Sequence, residues 1–192
     1  MKDKTADSQF YSRRGDDGFT GLLGPERVPK YDLRPQAYGC VDEAQAALGL
    51  ARASGCTPGT DEILLALQRD LYTLMAELAA AGDDDSPFAG SITAAHVLQV
   101  EEWIAGAEAQ IEMPREFVIP GDSQPGAVLH LARTVVRRAE RHAVRLVHEG
   151  LLGNELVVRY LNRLSSLLFV LAILEDKRAT GQGATLVKRL GK

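Results

Sequence analysis

Residues 129–146, LHLARTVVRRAERHAVRL, carry Arg133, Arg137, Arg138, Arg141 and Arg145 in one helical stretch. At roughly 100° per residue, Leu129, Ala132, Val135, Val136, Ala139, Ala143 and Leu146 share a face. Arg133, Arg137 and Glu140 fall in a strip roughly 60° wide that borders this face, while Arg138 and Arg145 point elsewhere. Two guanidinium groups one turn apart at the edge of a core are costly unless paired. They can pair with carboxylates, Glu140 among them, as a structural network. They can equally hold a phosphate, whose oxygens the guanidinium fork fits. Spacing does not choose between the two. Aromatic residues do not interleave with the arginines, which argues against base stacking and a nucleic-acid partner.

A second candidate is the loop YSRRGDDGFTGLLG at residues 11–24, with Gly15, Gly18, Gly21 and Gly24 at every third position. Such glycine density excludes a helix. Successive backbone N–H groups there can cradle phosphate oxygens, with Arg13, Arg14 and Lys30 adding charge and Asp16 or Asp17 able to hold magnesium through water. A flexible tail has the same composition. The loop is neither a Walker A sequence nor a dinucleotide fingerprint. In YLNRLSSLLFVLAILED (residues 160–176), Tyr160, Leu161, Leu164, Leu167, Leu168 and Leu171 face a core. Asn162, Ser166, Phe169 and Ile173 cluster within roughly 60° on the other side. A helix apolar on two faces has two partners, the second being a ligand or another subunit. His96, His130, His142 and His148 have no metal-ligand spacing, and no Ser/His/Asp or Cys/His grouping is defined.

The elements that must position these groups are helical. Periodicity predicts helices over about 38–53, 61–81, 92–112, 125–149 and 154–175, with Thr60 and Ser91 as caps. A proline-bounded connector, MPREFVIPGDSQPG, spans residues 113–126. The expected fold is an all-α five-helix bundle of the ferritin-like kind over 36–175, preceded by the glycine-rich segment 1–35 and followed by a mobile basic tail, 176–192. The chain has 192 residues, a formal net charge of −4, 45% apolar and 25% charged residues. This is the composition of one globular domain, not of a disordered or nucleic-acid-coating protein. Cys40 and Cys56 read as ordinary thiols in a reducing compartment. The N-terminal residues lack a signal pattern, and no stretch reaches the roughly 18 uninterrupted apolar residues of a membrane span, so the expectation is a cytoplasmic protein without membrane contact.

Four segments resemble one family. YSRRGDDGFTGLLG with RVPK, AYGCVDEAQAALGLA, FVIPGDS followed by LHLARTVVRRAER, and YLNRLSSLLFVLA occur in the order seen in PduO-type ATP:cob(I)alamin adenosyltransferases. The resemblance implies a trimer of five-helix bundles with ATP and corrinoid at the subunit interface. It implies transfer of the 5′-deoxyadenosyl group of ATP to Co(I) of cobalamin, with release of triphosphate. Co(I) is itself the nucleophile, so no protein nucleophile is needed. On matching positions, Ser12, Arg13, Gly15, Asp16, Gly18, Thr20 and Lys30 would wrap the polyphosphate. Arg137 and Glu140 would face the nucleotide and Mg²⁺, with Asn162 beside them and Glu140 as metal ligand. Asp42 and Arg133 would pair across the interface and, with Arg137 and Glu140, form the catalytic set. Phe117 would block the lower corrin face, helping to give four-coordinate Co(II), and Ser166 and Phe169 would lie on the corrinoid side. The tail would close over the corrinoid. A flavin-type reductase and an adenosylcobalamin-dependent mutase or dehydratase would be partners.

The sequence departs from the family pattern in places. Arg14 and Phe19 stand where small hydroxyl residues are usual, and Gly24-Pro25 replaces Gly-Gly. Pro120-Gly121-Asp122-Ser123 replaces PGGS, and Ser166 and Ile173 replace an Asp and an Arg. Losing one charge of each sign is more tolerable than losing either alone, but it leaves the corrinoid side less polar. The alternative to an enzyme is therefore a non-catalytic corrinoid- or nucleotide-binding carrier, sensor or chaperone of the same descent. A bundle with neither ligand would have to treat the arginine strip as purely structural.

Overall fold

Asp32 opens the first helix, its carboxylate accepting the Arg34 N–H at 3.0 Å and so capping an otherwise orphaned donor. The computed structural model describes residues 13–80 and 85–187; Ser12 lies outside them. A small hairpin, β1 (Phe19–Gly21) and β2 (Arg27–Pro29), precedes five helices: α1 (Leu33–Ala53), α2 (Pro58–Ala79), α3 (Ala94–Glu108), α4 (Gln124–His148) and α5 (Leu156–Thr180). The strands are antiparallel with Thr20 opposite Val28. At three residues each they are too short to show alternation in the sequence. The all-α bundle is as expected.

α4 packs between α1 and α5, α2 lies on α1, and α3 lies on α5. Small residues are fully buried on the two packed helices: Ala37, Val41 and Ala44 on α1, and Ala132, Val136 and Ala139 on α4. Leucines of α2 and α5, with Tyr160, fill the remaining core. α5 is long and apolar enough to cross a membrane, but most of that apolar window is buried inside the bundle.

Buried acids tie the helix ends. Glu77, at the end of α2, accepts Gly90 N–H at 3.0 Å, Ile92 N–H at 2.8 Å and Asn154 Nδ2 at 2.8 Å. Glu175, near the end of α5, accepts Thr57 N–H at 3.1 Å and the Thr57 and Thr60 hydroxyls at 2.6 Å each. It thereby caps the start of α2, which Pro58 opens. Asp176 accepts the Ser123 hydroxyl at 2.6 Å, and Ser123 caps α4 through Gly126 N–H at 3.0 Å. These ties place α5 antiparallel to both α2 and α4.

Three expectations change. α5 continues to Thr180 and stops at Gly181, a left-handed residue, so 176–180 belongs to the bundle. The charged run there reads as a solvated tail, yet Glu175 and Asp176 are buried because they cap other helices. Beyond it the chain docks: Ile119 N–H donates to Thr185 O and Val187 N–H to Phe117 O, both at 2.8 Å. Ile173 is buried rather than on a second, outer face.

Candidate functional site

Some of the described site residues gather in two cavities toward the two ends of α4. Near its start, the connector residues Phe117, Val118 and Pro120, with His130, Arg133 and Phe169, line a cavity of about 490 Å³. Phe169 is wedged between two side chains of α4. His130 meets it edge-on, with centroids 5.7 Å apart and planes at 67°. The Arg133 guanidinium lies 6.0 Å over its ring, within cation–π range. Phe117 is 85% exposed, an apolar ring presented at the cavity rim without a cover. The docked tail fixes its backbone, and Asp122 accepts both Thr185 N–H and the Thr185 hydroxyl at 2.7 Å.

Polar groups in this cavity lack partners. Neither ring nitrogen of His130 nor Nε of Arg133 has a hydrogen-bond partner among the described residues. Burial lowers the pKa of His130, aided by the Arg133 charge, against the pull of Asp176 and Asp122. Burial, and then Arg137, also lowers that of Arg133; a guanidinium nonetheless stays charged.

Toward the other end of α4, Glu140, Val144 and His148 face Glu155, just before α5, and Arg159 and Asn162 of α5 across a cavity of about 390 Å³. Asn162 Nδ2 donates to Glu140 Oε1 at 2.9 Å, and Asn162 Oδ1 accepts Arg163 Nη1 at 3.0 Å. Glu140 therefore faces an amide rather than the arginine strip. Among the described residues neither Arg133 nor Arg137 forms an ion pair; Arg138 pairs with Glu43, and Arg145 with Glu149 at 3.9 Å. Among the described residues, the structural ion-pair reading of the arginine strip is thus not realised for Arg133 or Arg137. Asp42 is exposed on α1, and it too has no ion pair among the described residues.

The glycine loop is ordered by its own backbone. Arg13 and Gly18 adopt positive φ, 58° and 84°, and Lys30 N–H donates to Gly18 O at 2.9 Å. A Cβ on Gly15 would meet Lys30 Nζ at 3.1 Å, so the glycine lets the ammonium lie against the loop. Asp17 is committed to structure: it accepts Arg27 Nη2 at 3.0 Å and Phe19 N–H at 3.1 Å, and the Arg27 bond holds its carboxyl below the usual range. Asp16 is exposed and Thr20 half-buried. Leu23 N–H donates to Ala79 O at 3.3 Å, which fixes the loop at the Glu140–Asn162 end of the bundle. Arg13, Gly15, Asp16, Gly18, Thr20 and Lys30 nevertheless line neither cavity.

The structure thus brings Phe117, Phe169 and Arg133 together, and Glu140 with Asn162. It leaves the loop, Asp42, Arg137 and the exposed Ser166 outside both cavities. His130 is the residue that sequence reasoning overlooks. The signal exists: it precedes Arg133 by three and Arg137 by seven positions, on the same helical strip.

Five helices, with ligand-sized cavities along a helix that presents arginines, define a binding bundle whose site residues project from facing helices. The profile of the cobalamin adenosyltransferase family matches residues 10–175. The chain is 36% identical over 183 residues to the corrinoid adenosyltransferase PduO of Salmonella typhimurium, covering 95% of this chain and 54% of that protein. It is 41% identical over 171 residues to the corrinoid adenosyltransferase of Mycobacterium tuberculosis, covering 86% and 87%. A variant of the PduO-type ATP:corrinoid adenosyltransferase from Lactobacillus reuteri, complexed with cobalamin and ATP, superposes with a TM-score of 0.85 at 30% identity, over 93% of this chain and 99% of that one. The chain belongs to the cobalamin adenosyltransferase family, and it spans about half the length of its Salmonella and Citrobacter freundii PduO relatives.

Proposed function

We propose that the chain transfers the 5′-deoxyadenosyl group of ATP to Co(I) of cobalamin. Co(I) gives its electron pair to C5′ to form the Co–C bond, the C5′–O bond breaks, and the electrons of that broken bond leave with triphosphate. The protein's task is to align cobalt with C5′ and to stabilise the departing charge. The observation that carries this reading is the convergence of Phe117, Phe169 and Arg133 on one open cavity. A flat corrin face suits Phe117 and Phe169, and Phe117 would occupy the lower side of cobalt.

Arg137 and the loop residues Arg13, Gly15, Asp16, Gly18, Thr20 and Lys30, together with Ser12, would take the polyphosphate. Glu140 and Asn162 would take the nucleotide. The loop lines neither cavity within one chain, which supports a site completed by a neighbouring copy in a homotrimer, with Asp42 of one subunit answering the unpaired Arg133 of the next. No cluster of three metal-ligating side chains occurs among the described residues. Mg²⁺ would accordingly come with the phosphates, which supply most of its oxygens, with Glu140 as protein ligand through the oxygen Asn162 leaves open. The product would serve a mutase or dehydratase and the Co(II) substrate would need a reductase of flavin type, all in the cytoplasm.

The test is anaerobic incubation with cob(II)alamin, MgATP and a strong reductant. Adenosylcobalamin and triphosphate should appear in equal amounts. One observation favours a carrier: Ser166 donates to its own helix at Asn162 O, 3.3 Å, and brings no charge to Arg133. Tight binding of both ligands, with Co(I) formed but no triphosphate released, would establish that reading instead.

A further inference from the structure

We infer that His130 is a polar anchor for the ligand of the Phe117 cavity, hydrogen-bonding a peripheral carboxamide of the corrin ring. The inference rests on the reading of that cavity as the corrinoid site. His130 is 4% exposed, and both its ring nitrogens lack partners among the described residues. The buried acids of this bundle, Glu175, Asp176 and Glu77, are satisfied by Thr57, Ser123 and Asn154, whereas His130 has two unmet nitrogens beside the unmet Nε of Arg133 in one cavity. A buried imidazole without a partner destabilises the fold, so its presence points to a partner that arrives with the ligand.

The chemistry of the cavity selects the partner. Arg133 offers only donors. His130, held neutral by burial, presents a donor on one nitrogen and an acceptor on the other. A primary carboxamide, with one carbonyl and one NH₂, complements either tautomer, whereas a phosphate would favour the arginine and leave a bare nitrogen unmet. Phe169 holds the imidazole ring edge-on, so its orientation is set before the ligand enters. Corrin rings carry acetamide and propionamide arms around a flat, apolar face, and the Phe117–Phe169 walls suit that face.

The experiment uses the full chain and the His130→Phe and His130→Gln variants. Cob(II)alamin is titrated anaerobically with MgATP present, ATP affinity is measured separately, and thermal unfolding is followed without ligands. His130→Phe keeps the aromatic contact with Phe169 and removes both nitrogens. Its corrinoid Kd should rise about 5- to 20-fold, with ATP affinity unchanged and a melting temperature no lower than that of the unsubstituted protein. His130→Gln should recover most of the affinity. Opposite movement of affinity and stability is the signature, since a merely structural histidine would lose both together. Unchanged corrinoid affinity in His130→Phe overturns the inference and leaves the proposed function standing. Nitrogen hyperfine coupling from imidazole to Co(II), absent in His130→Phe, overturns the amide assignment in favour of cobalt ligation. If the unsubstituted chain does not bind corrinoid, both readings fall.

Discussion

Gly126→Ala sets two effects of opposite sign against each other at the start of α4. A Cβ there would overlap Asp176 Oδ1 and lie 2.6 Å from its Cγ and 2.8 Å from Ser123 Oγ. Real side chains do not tolerate such contacts, so Asp176 must turn away and release the Ser123 hydroxyl it accepts at 2.6 Å. A hydrogen bond to a charged group is worth about 1.5–3 kcal/mol, and a carboxylate left without it in a site only 2% exposed costs more than the bond alone. Replacing a helical glycine by alanine returns about 1 kcal/mol at most. The clash therefore wins, with a net loss of about 2 kcal/mol. In a domain of this size that lowers the melting temperature by roughly 4–8 °C. Asp176→Ala combined with Gly126→Ala removes the clash with the carboxylate, so the pair should cost less than the sum of the singles. Thermal unfolding of all three variants is the assay. A Gly126→Ala protein as stable as the parent would refute the close packing of Asp176 on this glycine.

Stability should fall as pH drops through the ordinary histidine range. Burial lowers the pKa of His130, so the unfolded chain takes up the proton first; the contribution is complete above the unfolded value and shrinks below it. Melting temperature against pH should flatten in His130→Phe. Asp122→Asn should loosen the tail, seen as faster amide exchange at Ile119 and Val187. The same loosening should follow acidification, because the Thr185 bonds depress the Asp122 pKa and the clasp is lost as pH falls through that depressed value. Ser166→Asp places a carboxylate one turn from Phe169, on which Arg133 rests, and should tighten corrinoid binding severalfold in titrations; no change would show that the missing charge at this position is immaterial.

Much of the bundle was legible because burial and period coincide. Leu129, Ala132, Val136, Ala139, Ala143 and Leu146 are all fully buried, as their spacing requires. Glu140 with Asn162, and Phe117 with Phe169, are brought to shared cavities, although Glu140 and Asn162 stand on different helices 22 positions apart. What could not be read was set by long-range polar contacts. Asp176 looks like the onset of a solvated tail until Ser123, 53 positions away, is placed beside it, and nothing local shows that Glu175 reaches Thr57, 118 positions away. The docking of residues 185–187 on 117–119 is backbone pairing, which composition does not announce. His130 was hidden by its neighbours: between Leu129 and Leu131 it reads as one polar residue in an apolar run, and only the absence of a partner sets it apart.

α2 and α5 hold each other at both ends, and this makes their lengths interdependent. Glu77 of α2 grips Asn154 just before α5, while Glu175 of α5 grips Thr57 just before α2. The two spans are each about twenty residues, or roughly 30 Å of helix, so each helix acts as a gauge for the other. One residue inserted between the grips would turn everything beyond it by about 100° and free one acid from its donors. Length variation in descendants of this chain should thus collect in the connectors. Within α2 and α5 it would be accepted only as a matched pair of changes, one in each helix.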